Sequence, residues 1–374
     1  MAFADGRSLL QRMRPYVMVF DVPLAIIITL LLCVGLVTLA SAGMAIPGKV
    51  EDQLRNIFVA FMIMWIVANV PPQVMMRLAV PAYALGVALL VAVALFGVVK
   101  GGSRRWLNVG VQIQPSELMK IAMPLMLAWF FQRQQGHMRW QAYAIAALLL
   151  AVPAGLIARQ PDLGTALLVT AAGCYVIFLS GLSWKVMGAL AAAGCASLPL
   201  LWAVMHDYQR ERVLTLIDPY HDPLGKGFHI IQSMIAIGSG GFGGKGWTRG
   251  TQAHLEFIPE RTTDFIFAVF SEEFGLTGNL VLMALYLLLI WRGLHIAVNA
   301  ATFFSRLLAG AVTMIYFTYA FVNMGMVSGI IPVVGVPLPF MSYGGTALMT
   351  LGLGGGILMS IQRHSRAVRS GVRA

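Results

Sequence analysis

Apolar runs of about 20 residues recur along this chain, and about 20 is what a helix needs to cross a hydrocarbon layer. Ten such stretches lie at roughly 23–43, 54–71, 78–99, 115–133, 140–158, 163–182, 185–205, 264–291, 304–325 and 341–361. The second is short and ends at Pro71-Pro72, and the eighth is long and carries Glu272 and Glu273. Of the 374 residues, 59% are hydrophobic and only 11% charged, whereas soluble domains carry about 25% charged residues. The expected fold class is an all-α polytopic membrane protein. It has about ten transmembrane helices and a large extracytoplasmic loop, 206–263, between helices 7 and 8.

The net charge is +11. The basic residues fall in short loops and tails, as membrane topology demands, so nucleic acid is not an expected partner. With the N-terminus inside, thirteen basic residues fall on the cytoplasmic side: Arg7, Arg12, Arg14, Arg77, Arg133, Arg139, Lys185, Arg292, Arg306, Arg363, Arg366, Arg369 and Arg373. Six fall in the short outer loops: Lys49, Arg55, Lys100, Arg104, Arg105 and Arg159. That bias puts both termini in the cytoplasm. Arg7, Arg12 and Arg14 precede the first span without an apolar run, so no cleavable signal peptide is expected. Cys33, Cys174 and Cys195 lie in apolar runs without a CxxC or Cys/His cluster, so neither a disulfide framework nor a zinc site is expected.

In the outer loop, Phe228 to Ile237 is apolar but too short to span, which suggests an amphipathic or re-entrant segment. Gly238 to Gly246 resembles a phosphate-binding loop and fails its test. A Walker A sequence needs Gly where Ser239 stands and Ser or Thr where Gly246 stands. A mobile loop is the expectation. Ile331 to Gly345 holds prolines and glycines in an apolar setting, which predicts non-helical backbone sheltered by protein near the outer face. The basic C-terminal tail is expected to be solvated or to meet anionic lipid.

Charges inside a membrane call for a functional hypothesis. Glu117 and Lys120 stand three apart on one face of the fourth span; they read as an ion pair that neutralises both and could shape a cavity floor. Asp162 reads as a helix N-cap, and Arg159 either as part of that turn or as a contact to an anionic head group. Arg104-Arg105-Trp106 reads as an interfacial anchor or as a pyrophosphate contact through paired guanidinium donors. His206, His221, His229 and His254 fit no metal-ligand spacing and are expected to be solvated.

The sequence FIPERTTDFIFAVFSEE, from Phe257 to Glu273, breaks this grammar with a cluster of acids at the mouth of a hydrophobic helix. Asp264 sits where the loop becomes helix, with Thr262-Thr263 placed to cap it. The helix dipole favours the anion there, while burial raises the proton affinity. An acid poised between the two suits general-base work, although a dipole-complementing surface acid would look the same. At about 100° per residue, Ser271 shares the face of Asp264 and Glu273 points away. Glu273, and with it Glu272, is expected to be structural, while Glu260 and Arg261 shape the approach.

WLNVGVQIQPSELMK, RQPDLGTALL, FHIIQSMIAIGSGGFGGKG, FIPERTTDFIFAVFSEEFGLTG and GVPLPFMSYGG together resemble the SEDS family, the shape, elongation, division and sporulation proteins of the bacterial cell wall. The resemblance spans nearly the whole chain, and FIPER before TTDFIF looks more like the elongation branch (RodA) than the division branch (FtsW). It implies one SEDS-type domain over 1–374. Residues 1–22 are then a cytoplasmic tail and 362–374 a basic cytoplasmic tail, in the bacterial cytoplasmic (inner) membrane.

The resemblance also implies an activity, a peptidoglycan glycosyltransferase that polymerises lipid II into glycan strands during cell elongation. Asp264 matches the family's essential acid, and Arg105, Glu117, Lys120, Gln232 and Ser233 match its motif positions. Asp264 would take the proton of the acceptor 4-hydroxyl, with inversion and departure of undecaprenyl pyrophosphate. Outer basic groups (Arg105, Arg159, Arg210, Arg212, Lys226, Lys245, Arg249, Arg261), or a divalent cation such as Mg or Mn, would stabilise the leaving group. One departure is Thr262, where many relatives carry His, which leaves more of the work to Asp264. Implied partners are a class B penicillin-binding protein transpeptidase and elongation-complex membrane proteins. The competing readings are a lipid II flippase and a non-enzymatic scaffold that activates the penicillin-binding protein. An ion-coupled transporter is more distant, because the sequence shows no paired inverted repeat.

Overall fold

The computed structural model describes residues 20–371 apart from 101–102, 109–111, 136–138, 161, 206, 224, 226, 256 and 259. Arg7, Arg12, Arg14, His206, Lys226, Glu256 and Arg373 lie outside the described residues. All ten expected spans coincide with helix. They are α1 (Val22–Ala42), α2 (Lys49–Ala68), α3 (Pro72–Phe96), α4 (Pro115–Arg133), α5 (Trp140–Ala158), α6 (Leu163–Leu179), α7 (Trp184–Ala196) with α8 (Leu198–Val204), then, beyond the outer loop, α12 (Ile266–Val298), α13 (Phe303–Val327) and α14 (Gly345–Arg369). Six of them (α1, α3, α5, α12, α13 and α14) are long and apolar enough to cross a membrane. Among its described residues the outer loop contributes the α-helices α9 (Asp207–Ile217), α10 (Phe228–Ser239) and α11 (Thr251–His254), with a 3-10 turn at Pro219–His221.

Local chemistry explains many of the ends. Asp21 caps α1 by accepting from the Leu24 amide at 3.2 Å, and Asp162 caps α6 by accepting from the Thr165 amide at 3.2 Å, as its position predicts. Pro72 occupies the first turn of α3, where its missing N–H is no loss. At the centre, α14 lies against α2 because Gly352 and Gly356 expose backbone. A Cβ at either would stand 2.7 Å from Ala60 O or 2.6 Å from Met64 O, the small-xxx-small route to close helix packing. Helix α13 is the most enclosed span, and it packs on α12, α6 and α4.

The expected all-α class holds, with one short addition: β1 (Val98–Lys100), β2 (Ser103–Asn108) and β3 (Gln112–Ile113) form an antiparallel meander between α3 and α4. Other expectations need correction. The seventh span is not one helix, because it breaks at Ser197 into α7 and α8. The basic tail is helical as far as Arg369, with Arg366 and Arg369 exposed. There Arg363 donates to Asn69 Oδ1 (3.2 Å), Arg366 to Asp21 Oδ2 (3.1 Å) and Arg369 to Asn299 Oδ1 (2.9 Å).

The glycine-rich segment is not a free loop either. Helix α12 is broken at Gly275 (φ 64°, ψ −159°), and residues 240–246 plug the break. The amides of Lys245 and Gly246 donate to the carbonyls of Glu272 and Glu273, both at 3.0 Å. On the far side, the Leu276 and Thr277 amides donate to Gly241 O (2.9 Å) and Phe242 O (3.1 Å). Backbone groups freed inside a membrane protein must find such partners. The fit is so close that a Cβ on Gly244 would lie 2.1 Å from Glu273 O.

Candidate active site

Asp264 lies in the turn before α12, not in its first helical turn. The N-cap is Phe265, which makes no side-chain cap bond. Thr262 and Thr263 therefore do not cap the helix, and a helical wheel cannot be run back to Asp264. Ser271 is buried, donating to Phe267 O (2.7 Å) and Asn279 Oδ1 (3.0 Å).

The turn is held by its carbonyls. The Tyr343 amide donates to Thr262 O (2.9 Å), the Ser342 hydroxyl to Thr263 O (2.7 Å) and the Asn323 amide nitrogen to Asp264 O (2.8 Å). Two of these three donors come from the extended segment 331–344, whose non-helical course the prolines and glycines foretold. Arg261 anchors the other side by donating from Nε to Ala42 O at 2.8 Å.

With the main chain fixed, the Asp264 carboxylate makes no hydrogen bond or ion pair to another described residue. It is partly buried. Its Oδ2 lies 3.4 Å from where a Cβ on Gly335 would stand. Burial, reinforced by the nearby Glu260 carboxylate, pushes its pKa up to about 6. Glu260 holds a left-handed backbone (φ 54°), which is uncommon for a residue with a side chain, and Thr263 Oγ1 donates to its Oε2 at 2.8 Å. On the other flank the His229 ring stacks on Phe265 at 5.7 Å. His229 is not a solvated loop histidine. It is partly buried, its Nδ1 is enclosed without a hydrogen bond, and burial lowers its pKa.

A second polar cluster lies along α13. Lys120 is buried and donates at 2.6 Å to both Glu117 Oε1 and Tyr319 OH. Thr350 donates to Glu117 Oε2 at 3.2 Å. The Glu117–Lys120 pair is thus real, and Tyr319 and Thr350 complete it. Tyr319 and Asn323 are one turn apart, so a single face of α13 touches this cluster and the Asp264 turn. At the meander, Arg105 approaches Asp162 (3.9 Å) and Gln114 donates to the same carboxylate (3.1 Å).

Three expected substrate contacts carry structural bonds. Lys245 donates to Glu272 Oε1 (2.6 Å) and to Thr251 Oγ1 (3.0 Å). Ser233 donates to Ile230 O and Val327 O, both at 2.9 Å. Arg261 holds Ala42, as above. The side chains of Arg159 and Gln232 make no hydrogen bond or ion pair to another described residue; Arg159 is exposed beside Val152, Gly155 and Leu156, and Gln232 is partly buried. Glu272 and Glu273 are buried structural partners: Glu272 also accepts from the amides of Thr251 (2.9 Å) and Gln252 (3.2 Å), and Glu273 from Ser41 Oγ and the Thr248 amide. Sequence reasoning missed Asn323 and Tyr319, although each is a polar group in a span otherwise suited to lipid.

Among the described residues no group of three or more His, Cys, Asp or Glu could hold a metal ion. A divalent cation would have to draw most of its ligands from substrate phosphates.

Fold and site define a polytopic membrane protein with an acid at the mouth of a helix bundle whose carboxylate has no partner among the described residues. The chain belongs to the FtsW/RodA/SpoVE family of cell cycle proteins, whose model matches residues 22–367. It is 51% identical over 351 residues to the peptidoglycan glycosyltransferase MrdB of Escherichia coli K12, covering 93% of this chain and 95% of that one. It is 34% identical to the stage V sporulation protein E of Bacillus subtilis, covering 92% and 98%. Among solved structures, a chain from a study of polymerization and crosslinking by a peptidoglycan synthase complex superposes with a TM-score of 0.80 at 33% identity, covering 93% and 99%. The crystal structure of the rod shape determining protein RodA of Thermus thermophilus gives 0.70 at 28%, covering 93% and 98%.

Proposed function

We propose that this chain is a peptidoglycan glycosyltransferase that polymerises lipid II during cell elongation, with Asp264 as general base. The observation that carries the assignment is the Asp264 carboxylate, which is partly buried, has no partner among the described residues and sits in a rigidly held turn. Its oxygen accepts the proton of the acceptor 4-hydroxyl as that oxygen bonds to the donor's anomeric carbon. The bond to undecaprenyl pyrophosphate breaks on the opposite face, with inversion. A pyrophosphate leaves as an anion, so no second acid is needed to protonate it. A pKa near 6 keeps the base ionised at neutral pH while giving it more proton affinity than an ordinary aspartate. Arg105 and Arg159 are the proposed contacts to the departing pyrophosphate.

The Lys and Arg bias supports a cytoplasmic-membrane orientation with both termini inside, which places Asp264 at the outer face. A class B penicillin-binding protein and elongation-complex membrane proteins are the proposed partners, supported by the likeness to a chain from a peptidoglycan synthase complex. The test is in vitro lipid II polymerisation by the purified chain with its penicillin-binding partner, carrying an inactivated transpeptidase, with and without divalent cation. Asp264→Asn is expected to abolish glycan strands, with at least ~10²-fold loss of rate. Strands made by the Asn variant would refute the base assignment. Lipid II transport surviving without polymerisation in the wild type would favour a flippase.

A further inference from the structure

Asn323 is fully buried in α13, within YFTYAFVNMGM. Its amide nitrogen donates twice, to Asp264 O at 2.8 Å and to Val336 O at 2.7 Å. One nitrogen therefore ties the Asp264 turn to the extended segment whose Gly335 lies beside the Asp264 carboxylate. The other end of the same side chain, Oδ1, is enclosed and has no hydrogen bond among the described residues. A buried acceptor left unpaired lowers stability. A side chain selected for stability alone would not leave one. The amide supplies both donors from one uncharged nitrogen, and leucine, of similar branched shape, supplies none.

We propose that Asn323 is a positioning residue for Asp264: its two-donor clamp sets the distance between the Asp264 carboxylate and the Gly335–Val336 backbone, and so fixes the base against the acceptor hydroxyl. The proposal rests on the reading of Asp264 as the base. The clamp also completes a path along α13. Tyr319, one turn below Asn323, receives the Lys120 ammonium, so the buried Glu117–Lys120 pair and the base share one rigid face.

The test compares Asn323→Leu and Asn323→Gln with wild type and Asp264→Asn, each full-length, with lipid II as substrate. Misplacing a reacting group by about 1 Å can lower the rate ~10²-fold. Asn323→Leu is expected to lower kcat by about that factor, with KM for lipid II changed by no more than about twofold. Asn323→Gln, which keeps two donors on a longer arm, recovers part of the loss.

Among the described residues, the charged and titratable groups around the turn are Glu260 and Arg261 within it, His229 on α10, Arg212 of α9 on Val333 O (2.8 Å), Tyr343 with Lys49 over its ring (4.2 Å), and Tyr319 of α13 with Lys120 of α4. None of these changes in the variants. A loosened turn admits water to the carboxylate, so the acid limb of the rate profile is expected to move to lower pH in Asn323→Leu. A full rate in Asn323→Leu overturns the proposal. So does a rate loss that follows a fall in Tm with the acid limb unmoved, or failure of both variants to fold, since either would make the role purely structural. Glycan strands from Asp264→Asn would sink the underlying base assignment. A silent Asp264→Asn beside a full-rate Asn323→Leu would sink this inference alone.

Discussion

Two buried or partly buried aspartates sit at opposite ends of the bundle, and their surroundings are opposite. Asp21 is buried at the start of α1. It receives Arg292 through two bonds, Nε to Oδ1 at 2.8 Å and the terminal nitrogen to Oδ2 at 2.6 Å. Arg366 adds a third at 3.1 Å, and the Leu24 amide a fourth at 3.2 Å. One carboxylate thus joins α1, α12 and α14. Asp264 has its backbone tied down and its carboxylate left without a partner among the described residues. The saturated acid has no lone pair to lend to chemistry. The unsaturated one is held in place by everything except the group that would react. A carboxylate kept partly buried and unpaired lowers stability, and Asp264 is such a group among the described residues.

The comparison can be broken at either end. Asp21→Asn leaves Arg292 buried without its charge partner. Removing one member of a buried pair costs about 3–5 kcal/mol, so Tm in detergent is expected to fall sharply while activity per folded molecule persists. Loss of activity with no fall in Tm would put Asp21 in the machinery instead. Lys245→Met tests an intermediate case. Glu272 would lose its ammonium but keep Thr251 and the Gln252 amide, so the loss should be about 1–3 kcal/mol and confined to stability. A larger drop in kcat than in Tm would show that Lys245 also reaches substrate.

The smallest effect is the pH dependence. Asp264 must be ionised to act as base, and burial has raised its pKa to about 6. The rate should therefore hold above pH 6 and fall about tenfold per pH unit well below it. The stability sign is opposite. A carboxylate whose folded pKa is raised contributes stability below its unfolded pKa and loses it as pH rises through about 6. At neutral pH, Asp264→Asn should thus leave Tm unchanged or raise it, in contrast to Asp21→Asn. A rate profile flat down to pH 5 would contradict the burial of this group.

Much of this was legible in the chain. The ten apolar stretches each lie on helix, the seventh in two pieces, because a run of that length and composition leaves the backbone little other way to satisfy itself away from water. Asp162 capped its helix, and residues 331–344 stayed non-helical, because these are local effects of side chain and φ. Glu273, and with it Glu272, was read as structural from a helical wheel run back to Asp264, which the turn before α12 does not support; their burial and bonds rest on the tertiary packing instead. The break in α12 was not legible. Gly275 looks like any glycine in a membrane span until the Gly240–Gly246 backbone is seen filling the gap. The β meander was hidden by strands of only two to six residues, too short to show a period.

The sequence by itself therefore determined the class of molecule, the number of apolar stretches and the one acid out of place at a helix mouth. These follow from hydrophobicity and local propensity, which act on neighbouring residues. Which acids would be paired was decided only in three dimensions. Asp21 meets Arg292 across 271 positions, and Asp264 meets Asn323 across 59. Partners at such separations are chosen by which helix faces pack together, and no local rule fixes that.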